Sequence, residues 1–143
     1  MSDFSRFMKA NKKIRDNGFY APTESLCDEY GEPLPFEFRP LSPKEVDQIR
    51  DDCTVDVPVT GKRGMTRPKL LVGKYQNRVI VKACVYPDLY NPELQDSYNV
   101  KTPEELLYAM VDDAGEYQNL VEWLFEYQGL LKVFDEKVEA AKN

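Results

Sequence analysis

The sequence predicts an α+β fold, predominantly α-helical, in which a short N-terminal β-hairpin is followed by four to six helices packed as one domain. Two tetrapeptides, Ser42-Pro43-Lys44-Glu45 and Thr102-Pro103-Glu104-Glu105, combine a capping hydroxyl, a proline that fits the first helical turn and an acidic residue at the third helical position. Before them, Phe36 and Phe38 alternate with charged residues, as in a strand with one buried face. A chain of 143 residues is long enough for one compact domain.

Three segments are expected along the chain. Residues 1–18 form an N-terminal amphipathic or flexible segment, residues 19–129 a globular domain, and residues 130–143 a C-terminal amphipathic helix. The first segment carries apolar residues at near-helical spacing beside lysines and arginines: Phe4, Phe7, Met8 and Ile14. This pattern is typical of a short amphipathic helix, with a frayed terminus as the alternative.

The β-hairpin is expected to join residues 19–27 to residues 34–41 through a turn at residues 28–32. Prolines interrupt both arms: Pro22, Pro33, Pro35 and Pro40. Because proline has no N–H to donate to a neighbouring strand, these positions exclude a long central strand and predict a short pair at a sheet edge.

Each of the two capping tetrapeptides should begin a helix with a defined buried face. The first helix is expected to end near Asp52 or Cys53. Its buried residues are Val46 and Ile49. The second helix is expected to bury Leu106, Leu107, Met110 and Val111.

Between these helices the sequence predicts an exposed loop and then a longer helix. Residues 54–66 contain two glycines, a proline and no helical period, which indicates a loop. From Pro68 to Val85, apolar side chains recur every four residues on one side, which favours an amphipathic helix. The β-branched run at residues 79–81 leaves a strand as the alternative. A basic stripe follows the same period on another side of this helix: Lys74, Arg78 and Lys82.

Pro87 should end this helix, and the Asn91-Pro92 pair should cap and open another of one or two turns. Leu89 and Leu94 are placed to anchor that short helix to the core. A last helical stripe consists of Tyr117, Leu120, Val121, Leu124 and Phe125. Gly129 is a natural stop for this final helix of the globular domain.

Charge divides the chain into a basic and an acidic part. Residues 57–87 contain no acidic residue and seven cations, namely Lys62, Arg63, Arg67, Lys69, Lys74, Arg78 and Lys82. Residues 88–126 contain ten acidic residues against the single Lys101. The two parts either pair within the molecule or stay solvated, or the basic part binds an acidic protein partner. Nucleic acid is disfavoured because the net charge is −6 and the pI is near 4.8.

The composition argues against an enzyme. Histidine is absent, which removes the commonest general base, the usual partner of a nucleophilic side chain and a frequent zinc ligand. Cys27, Cys53 and Cys84 are widely spaced and are expected to be reduced thiols. There is no glycine-rich phosphate loop, and no apolar run approaches the roughly 20 residues of a membrane span. We therefore expect no catalysis, no cofactor, no metal site and no contact with a membrane.

Seven residues are candidates for partner binding on physical grounds. Three form the basic stripe: Lys74, Arg78 and Lys82. Four are aromatic: Tyr86, Tyr98, Trp123 and Phe134. Trp123 falls off the centre of its helical stripe, so it fits either the edge of the core or a partner surface.

The order of several short motifs resembles that of the XkdN-like phage tail assembly chaperones. The motifs are Tyr30-Gly31-Glu32-Pro33, the run at residues 36–41, the Tyr86-Pro87-Asp88-Leu89 corner, the run Glu93-Leu94-Gln95-Asp96-Ser97-Tyr98, and Gly115-Glu116-Tyr117. The resemblance covers roughly residues 25 to 130. Asn99 stands where this family leads us to expect a glycine, and asparagine tolerates a left-handed backbone almost as well.

This resemblance implies a non-enzymatic protein that acts in the host cytoplasm. Such a protein binds the tape-measure protein and the tail tube subunits during tail morphogenesis and leaves before the virion is complete. The resemblance leaves self-association open. The alternative function is that of a structural tail or neck component, such as a completion or connector protein, which stays in the mature particle.

Overall fold

The computed structural model describes residues 3–130, which form an α+β fold with five α-helices and two small antiparallel sheets. The strands are β1 (Gly18–Tyr20), β2 (Phe36–Phe38), β3 (Thr54–Pro58), β4 (Thr66–Leu70) and β5 (Cys84–Tyr86). The helices are α1 (Pro43–Asp52), α2 (Val72–Ala83), α3 (Pro92–Ser97), α4 (Pro103–Met110) and α5 (Ala114–Gln128). The predicted α+β class is confirmed. Helices contain 46% of these residues and strands 16%, so the prediction of a predominantly α-helical fold is only loosely supported.

The first sheet has three strands in the order β1-β2-β5. The predicted N-terminal hairpin is confirmed in shortened form, since β1 and β2 run antiparallel with Gly18 opposite Phe38. Both Phe36 and Phe38 are buried. The hairpin lies at the edge of this sheet, as predicted, since β1 is an edge strand, while the three-residue β2 is central and pairs with β5 on its other side. The prolines do not prevent this, since they flank the three residues of β2 without entering it.

The second sheet is a two-stranded hairpin made of β3 and β4, which connects α1 to α2. The prediction of a loop at residues 54–66 was therefore wrong for residues 54–58 and 66, whereas residues 59–65 form the loop that connects the two strands. The ladder has five residue pairs, from Thr54 opposite Leu70 to Pro58 opposite Thr66. Because both strands are mostly exposed, neither carries the alternation of apolar and polar residues that marks a half-buried strand.

Helix α2 is confirmed as a helix, but its predicted bounds were too wide. Pro68 lies in β4 opposite Asp56 and opens no helix. The helix begins at Val72 and ends at Ala83, and the following three residues form β5. The prediction that Pro87 ends this helix was therefore wrong, because Pro87 follows strand β5. The β-branched residues that suggested a strand are buried within α2.

The predicted starts of α1, α3 and α4 are confirmed by their hydrogen bonds. The Ser42 hydroxyl accepts from the Glu45 amide at 3.2 Å, and the Glu45 carboxylate accepts from the Ser42 amide at 3.0 Å, which completes a capping box. Thr102 and Asn91 cap α4 and α3 in the same sense. At the other ends, Gly129 stops α5 with a φ of 77°, and Asn99 follows α3 with a φ of 56°. Asparagine thus takes the left-handed conformation that the sequence predicts at this position.

The core forms where α2 meets α1, α4 and α5 on one side and the three-stranded sheet continues it on the other. Tyr75 of α2 meets Phe125 of α5 edge to face, with ring centroids 5.8 Å apart. The largest side chains with almost no exposure come from most of these elements: Phe38, Ile80, Leu89, Leu106, Leu107, Leu120 and Leu124. The predicted buried faces of the helices are confirmed, including the Leu89 anchor.

The N-terminal segment does not form the predicted amphipathic α-helix. Two short 3₁₀ turns, Asp3–Phe7 and Lys9–Asn11, replace it, and neither contains a buried residue. From Arg15 onward the chain packs on α5. The C-terminal helix predicted at residues 130–143 lies outside the described residues beyond Leu130.

An aromatic stack attaches the start of the domain to α5. Trp123 lies between Tyr20 and Tyr127, with ring centroids 4.9 Å and 5.3 Å away and nearly parallel planes. The Arg15 guanidinium covers the outer face of Tyr127 at 4.3 Å. The Tyr127 hydroxyl donates to the Asp16 carbonyl at 2.7 Å, so this ring is held on both faces and at its tip.

Two polar side chains of α5 bind other parts of the N-terminal third. The Glu116 carboxylate accepts from the Thr23 hydroxyl at 2.7 Å and from the Glu24 amide at 2.8 Å. Near the other end of the helix, the Gln128 amide accepts from the Leu41 amide N–H and donates to a neighbouring carbonyl, both at 2.9 Å. One helix thereby holds three separate points of the preceding chain.

Gly18 is required where the chain crosses this stack. A Cβ at position 18 would lie 2.9 Å from Cε1 of Tyr127 and 3.1 Å from Cη2 of Trp123, and neither ring is free to move. We expect Gly18→Ala to lower the free energy of unfolding by about 1 to 3 kcal/mol, measured by urea denaturation. Gly73→Ala is the matched control, since no atom lies within 4 Å of its added Cβ. Equal stability of the two variants would contradict this role for Gly18.

Candidate partner-binding surface

A groove with a volume of about 400 Å³ lies between α1 and α2. Its apolar part consists of Ile49, Val81 and Tyr90. Ile49 and Val81 are largely buried members of the core, whereas Tyr90 is 64% exposed at the side of the groove. The apolar strip that these three residues form is therefore nearly covered at Ile49 and Val81, and its accessible part is the ring of Tyr90.

Charged residues of both signs surround this apolar strip. The cations are Lys44, Arg78 and Lys82, and the anions are Glu45, Asp52 and Glu104. Glu45 is already engaged, because both of its carboxylate oxygens accept from the Arg39 guanidinium, at 3.1 Å and 2.6 Å. This bidentate pair and the capping bond from Ser42 lower the pKa of Glu45 to about 2. The same hydrogen bonds raise the pKa of Arg39.

The seven cations of residues 57–87 fall into two groups. Four lie on the β3–β4 hairpin and form what we call the basic arm: Lys62, Arg63, Arg67 and Lys69. Three lie on α2 and form the basic stripe: Lys74, Arg78 and Lys82. The ion pairs within residues 3–130 are Arg39–Glu45 and Arg50–Asp47, and neither involves these cations. For this part of the chain, the interpretation that the basic and acidic parts pair within the molecule was wrong.

Of the six predicted partner-binding residues that the structure describes, two lie in the groove. Arg78 and Lys82 line it, whereas Lys74 does not. Tyr86 is 67% exposed and lines a separate shallow depression of about 430 Å³ with Pro87 and Leu94. The groove, the exposed Lys74 and the depression beside Tyr86 remain candidates for partner contact.

The other predicted aromatic residues are used within the protein or fall outside the described chain. Tyr98 is half-buried against the core. Trp123 is stacked between two tyrosines and also contacts Phe38, at 5.6 Å between ring centroids, so it belongs to the edge of the core. Phe134 lies outside the described residues.

Sequence reasoning placed no binding residue in the N-terminal segment, where the structure exposes the most apolar surface. The exposed side chains are Phe4 at 74%, Phe7 at 86%, Met8 at 55% and Ile14 at 92%. Their near-helical spacing was visible in the sequence, but it was interpreted as a short amphipathic helix, and no binding residue was assigned to it. Tyr90 was missed as well, because a tyrosine in a turn has no periodic neighbours that indicate its direction.

The described residues show no arrangement that favours covalent or metal chemistry. Burial raises the pKa of the Cys84 thiol to about 12 and also raises the pKa of Cys53, so both stay protonated at neutral pH and are poor nucleophiles. From residue 3 to residue 130 there is no group of three His, Cys, Asp or Glu side chains that is close enough to hold a metal ion. No helix in this range is long and apolar enough to cross a membrane.

The exposed features of the described residues are a groove, a basic hairpin and an apolar N-terminal segment. Such surfaces are typical of a protein that binds other proteins. Residues 4–142 match the model of the Phage XkdN-like tail assembly chaperone protein family, and the chain belongs to this family. The resemblance noted in the sequence is thereby confirmed, and the family defines a non-enzymatic role in phage tail assembly.

Two similar proteins come from Bacillus subtilis (strain 168). The uncharacterized protein YqbN is 26% identical over 148 aligned positions, which cover 94% of this chain and 98% of YqbN. The phage-like element PBSX protein XkdN is 23% identical over 146 positions, which cover 93% of this chain and 97% of XkdN. The crystal structure of YqbN superposes with a TM-score of 0.71 at 22% identity, over 90% of this chain and 98% of that one, and this likeness shows the fold.

The Arg39–Glu45 pair beside the groove should make stability depend on pH. Because the pKa of Glu45 in the folded protein is about 2, below its ordinary value of 4.5, the pair stabilises the fold above about pH 4.5 and is lost as the pH falls towards 2. We expect Glu45→Gln to be less stable than the wild type by about 1 kcal/mol at pH 7, and this difference to shrink by pH 3. Urea denaturation at both pH values measures it.

The control is Asp47→Asn, which removes a longer and more exposed ion pair to Arg50, at 3.6 Å. It should change the stability little at either pH. A Glu45→Gln variant whose deficit is the same at pH 3 and pH 7 would show that the charge of Glu45 does not act through this pair.

Proposed function

We propose that this protein binds the tape-measure protein and the tail tube subunits in the host cytoplasm while the phage tail is assembled. It keeps these partners soluble, catalyses no reaction and leaves before the virion is complete. The observation that carries the proposal is the match of residues 4–142, nearly the whole chain, to the tail assembly chaperone family.

The N-terminal segment supports a role in protein binding. Phe4 and Phe7 expose most of their side chains to water, and neither 3₁₀ turn of this segment packs a residue into the core. A group of neighbouring exposed apolar side chains is typical of an interaction site. Arg6 and Lys9 lie among them and keep the segment soluble in the free protein.

The α1–α2 groove supports the same function and suggests how a partner docks. We assign it to an amphipathic helix of the tape-measure protein, in the mode in which a helix lays its apolar stripe into a groove. Ile49, Val81 and Tyr90 offer the apolar strip for such a stripe. Arg78 and Glu104 are among the rim charges of both signs that can pair with the polar residues that flank it.

Co-expression with the tape-measure and tail tube proteins encoded beside this gene tests the proposal. We expect affinity-tagged chain to retain both partners and to raise their soluble fraction in the lysate. If neither partner is retained or kept soluble, the chaperone function is wrong.

Filling the groove tests the assigned docking site. Gln48 is exposed on its rim, and we expect Gln48→Trp to reduce retention of the tape-measure protein about tenfold, since a large ring would occupy the apolar strip. Gln118→Trp, on the exposed side of α5, is the matched control and should retain the partner fully. Equal retention by both variants would place the contact elsewhere.

The composition of purified virions separates this function from the structural alternative. A tail or neck component persists in the finished particle in a fixed ratio to the tube protein, whereas a chaperone is absent. We expect mass spectrometry of purified virions to find no stoichiometric amount of this chain, and a fixed ratio would favour the completion or connector protein.

A further inference from the structure

We propose that a cleft between the start of α1 and the end of α5 binds the C-terminal part of the same chain, with Phe134 as the main anchor. This part comprises residues 131–143, and we call it the tail. The inference goes beyond the proposed function and does not depend on it. It gives Phe134, a sequence-based candidate for partner binding, a role within its own molecule.

The cleft has a volume of about 260 Å³ and shares no lining residue with the α1–α2 groove. Its apolar lining consists of Leu41, Pro43, Val46 and Leu130. Pro43 is exposed, Leu41 and Leu130 are half-buried, and Val46 is nearly covered. An apolar cavity of roughly 150 Å³ binds benzene, so this cleft has room for the ring of a phenylalanine side chain.

Helix α1 separates the cleft from the groove. Pro43, Val46 and Arg50 follow one another at spacings of three and four residues, so they lie along one face of the helix. Gln48 and Asp52, four residues apart, line the groove from another face. A tail in the cleft therefore leaves the groove free for a partner.

The described chain leaves α5 at the cleft itself. Gly129 adopts a left-handed φ of 77°, and the Leu130 N–H donates to the Phe125 carbonyl at 2.8 Å. The Gly129 N–H donates to the Glu126 carbonyl at 3.0 Å, which completes a Schellman motif that ends the helix and turns the chain. After this turn Leu130 lines the cleft, so the tail begins at the site that we assign to it.

Hydrogen bonds fix the two walls of the cleft to each other. The Gln128 side chain, which lines the cleft, accepts from the Leu41 N–H and donates to the Arg39 carbonyl, both at 2.9 Å. The end of α5 is thereby attached to the segment that enters α1. Because the walls are already in place, binding has to order only the tail, which lowers its entropic cost.

The sequence of the tail supplies side chains that suit an apolar cleft. In the helical pattern predicted for residues 130–143, Val133 and Phe134 follow Leu130 by three and four residues and share its side. Phe134 also stays near the cleft in any conformation, since four residues span at most about 14 Å. The match to the family model extends to residue 142, so the tail belongs to the domain that the family shares.

Covalent attachment favours the tail over a separate partner as the occupant. A segment joined to its site by a few residues has an effective concentration on the order of millimolar. Even a weak apolar contact then keeps the cleft occupied, whereas a free protein would need a much higher affinity to displace the tail.

Limited digestion of the full chain with trypsin tests the inference, because the tail contains three cleavage sites: Lys132, Lys137 and Lys142. A bound tail is cleaved only when it leaves the cleft. The first test variant, Phe134→Ser, removes the anchor. The second, Asp47→Trp, places a large ring at the mouth of the cleft. The Asp47 side chain is 71% exposed and its ion pair to Arg50 is long, so its loss should cost the fold little.

Gln48→Trp is the matched control. Gln48 is the next residue of α1 and is also exposed, but it lines the groove and not the cleft. Cleavage after Arg78, within the core helix α2, should stay slow in every variant and so shows that the domain is folded.

We expect mass spectrometry to show cleavage after Lys132 at least about tenfold faster in both test variants than in the wild type. The Gln48→Trp variant should be cleaved there as slowly as the wild type, at a rate that does not depend on protein concentration. A wild-type tail cleaved as fast as that of Phe134→Ser, or an Asp47→Trp variant as protected as the wild type, would overturn the proposal.

Two further results would overturn the proposal by assigning the tail or the cleft differently. If Gln48→Trp loses protection as Asp47→Trp does, the tail lies in the α1–α2 groove. If protection of the wild type fades on dilution, the cleft binds the tail of a second copy.

Discussion

The attachment of the N-terminal third to α5 is the constraint on which the rest of the structure depends. Residues more than 85 positions apart are joined by the Trp123 stack, by Glu116 at the start of the helix and by Gln128 at its end. These contacts bring β1 and β2 over the helical core, where Phe36 and Phe38 become buried. Besides these contacts, the first forty residues are held by the pairing of β2 with β5 and by the burial of its two phenylalanines.

This constraint also decides which parts of the surface remain open. Because Trp123 and Tyr127 are covered by the chain around Gly18, the side of α5 that carries the binding candidate Trp123 is occupied from within. The open features lie elsewhere, at the apolar N-terminal segment, in the α1–α2 groove and on the basic arm. All three lie on the surface, outside the buried core.

Local chemistry explains where sequence reasoning succeeded. A cap such as Ser42, a proline in the first turn and a stop such as Gly129 act over three or four residues, so their effect is independent of the rest of the fold. Strand β5 was missed because it has three residues and exists only through pairing with the distant β2. The hairpin β3–β4 was missed because strands exposed on both faces carry no periodic signal.

The sequence by itself determined the starts of α1, α3 and α4, the ends of α1 and α5, the α+β class, the division of charge and the order of motifs that resembles the tail assembly chaperone family. These properties depend on neighbouring residues or on composition, which a linear pattern records. Only the tertiary structure decided that Trp123 faces inward, that Arg78 and Lys82 share a groove with Ile49, and that the basic and acidic parts form no ion pair with each other within residues 3–130. Those outcomes depend on which distant side chains meet after packing, and no local pattern in the chain encodes that.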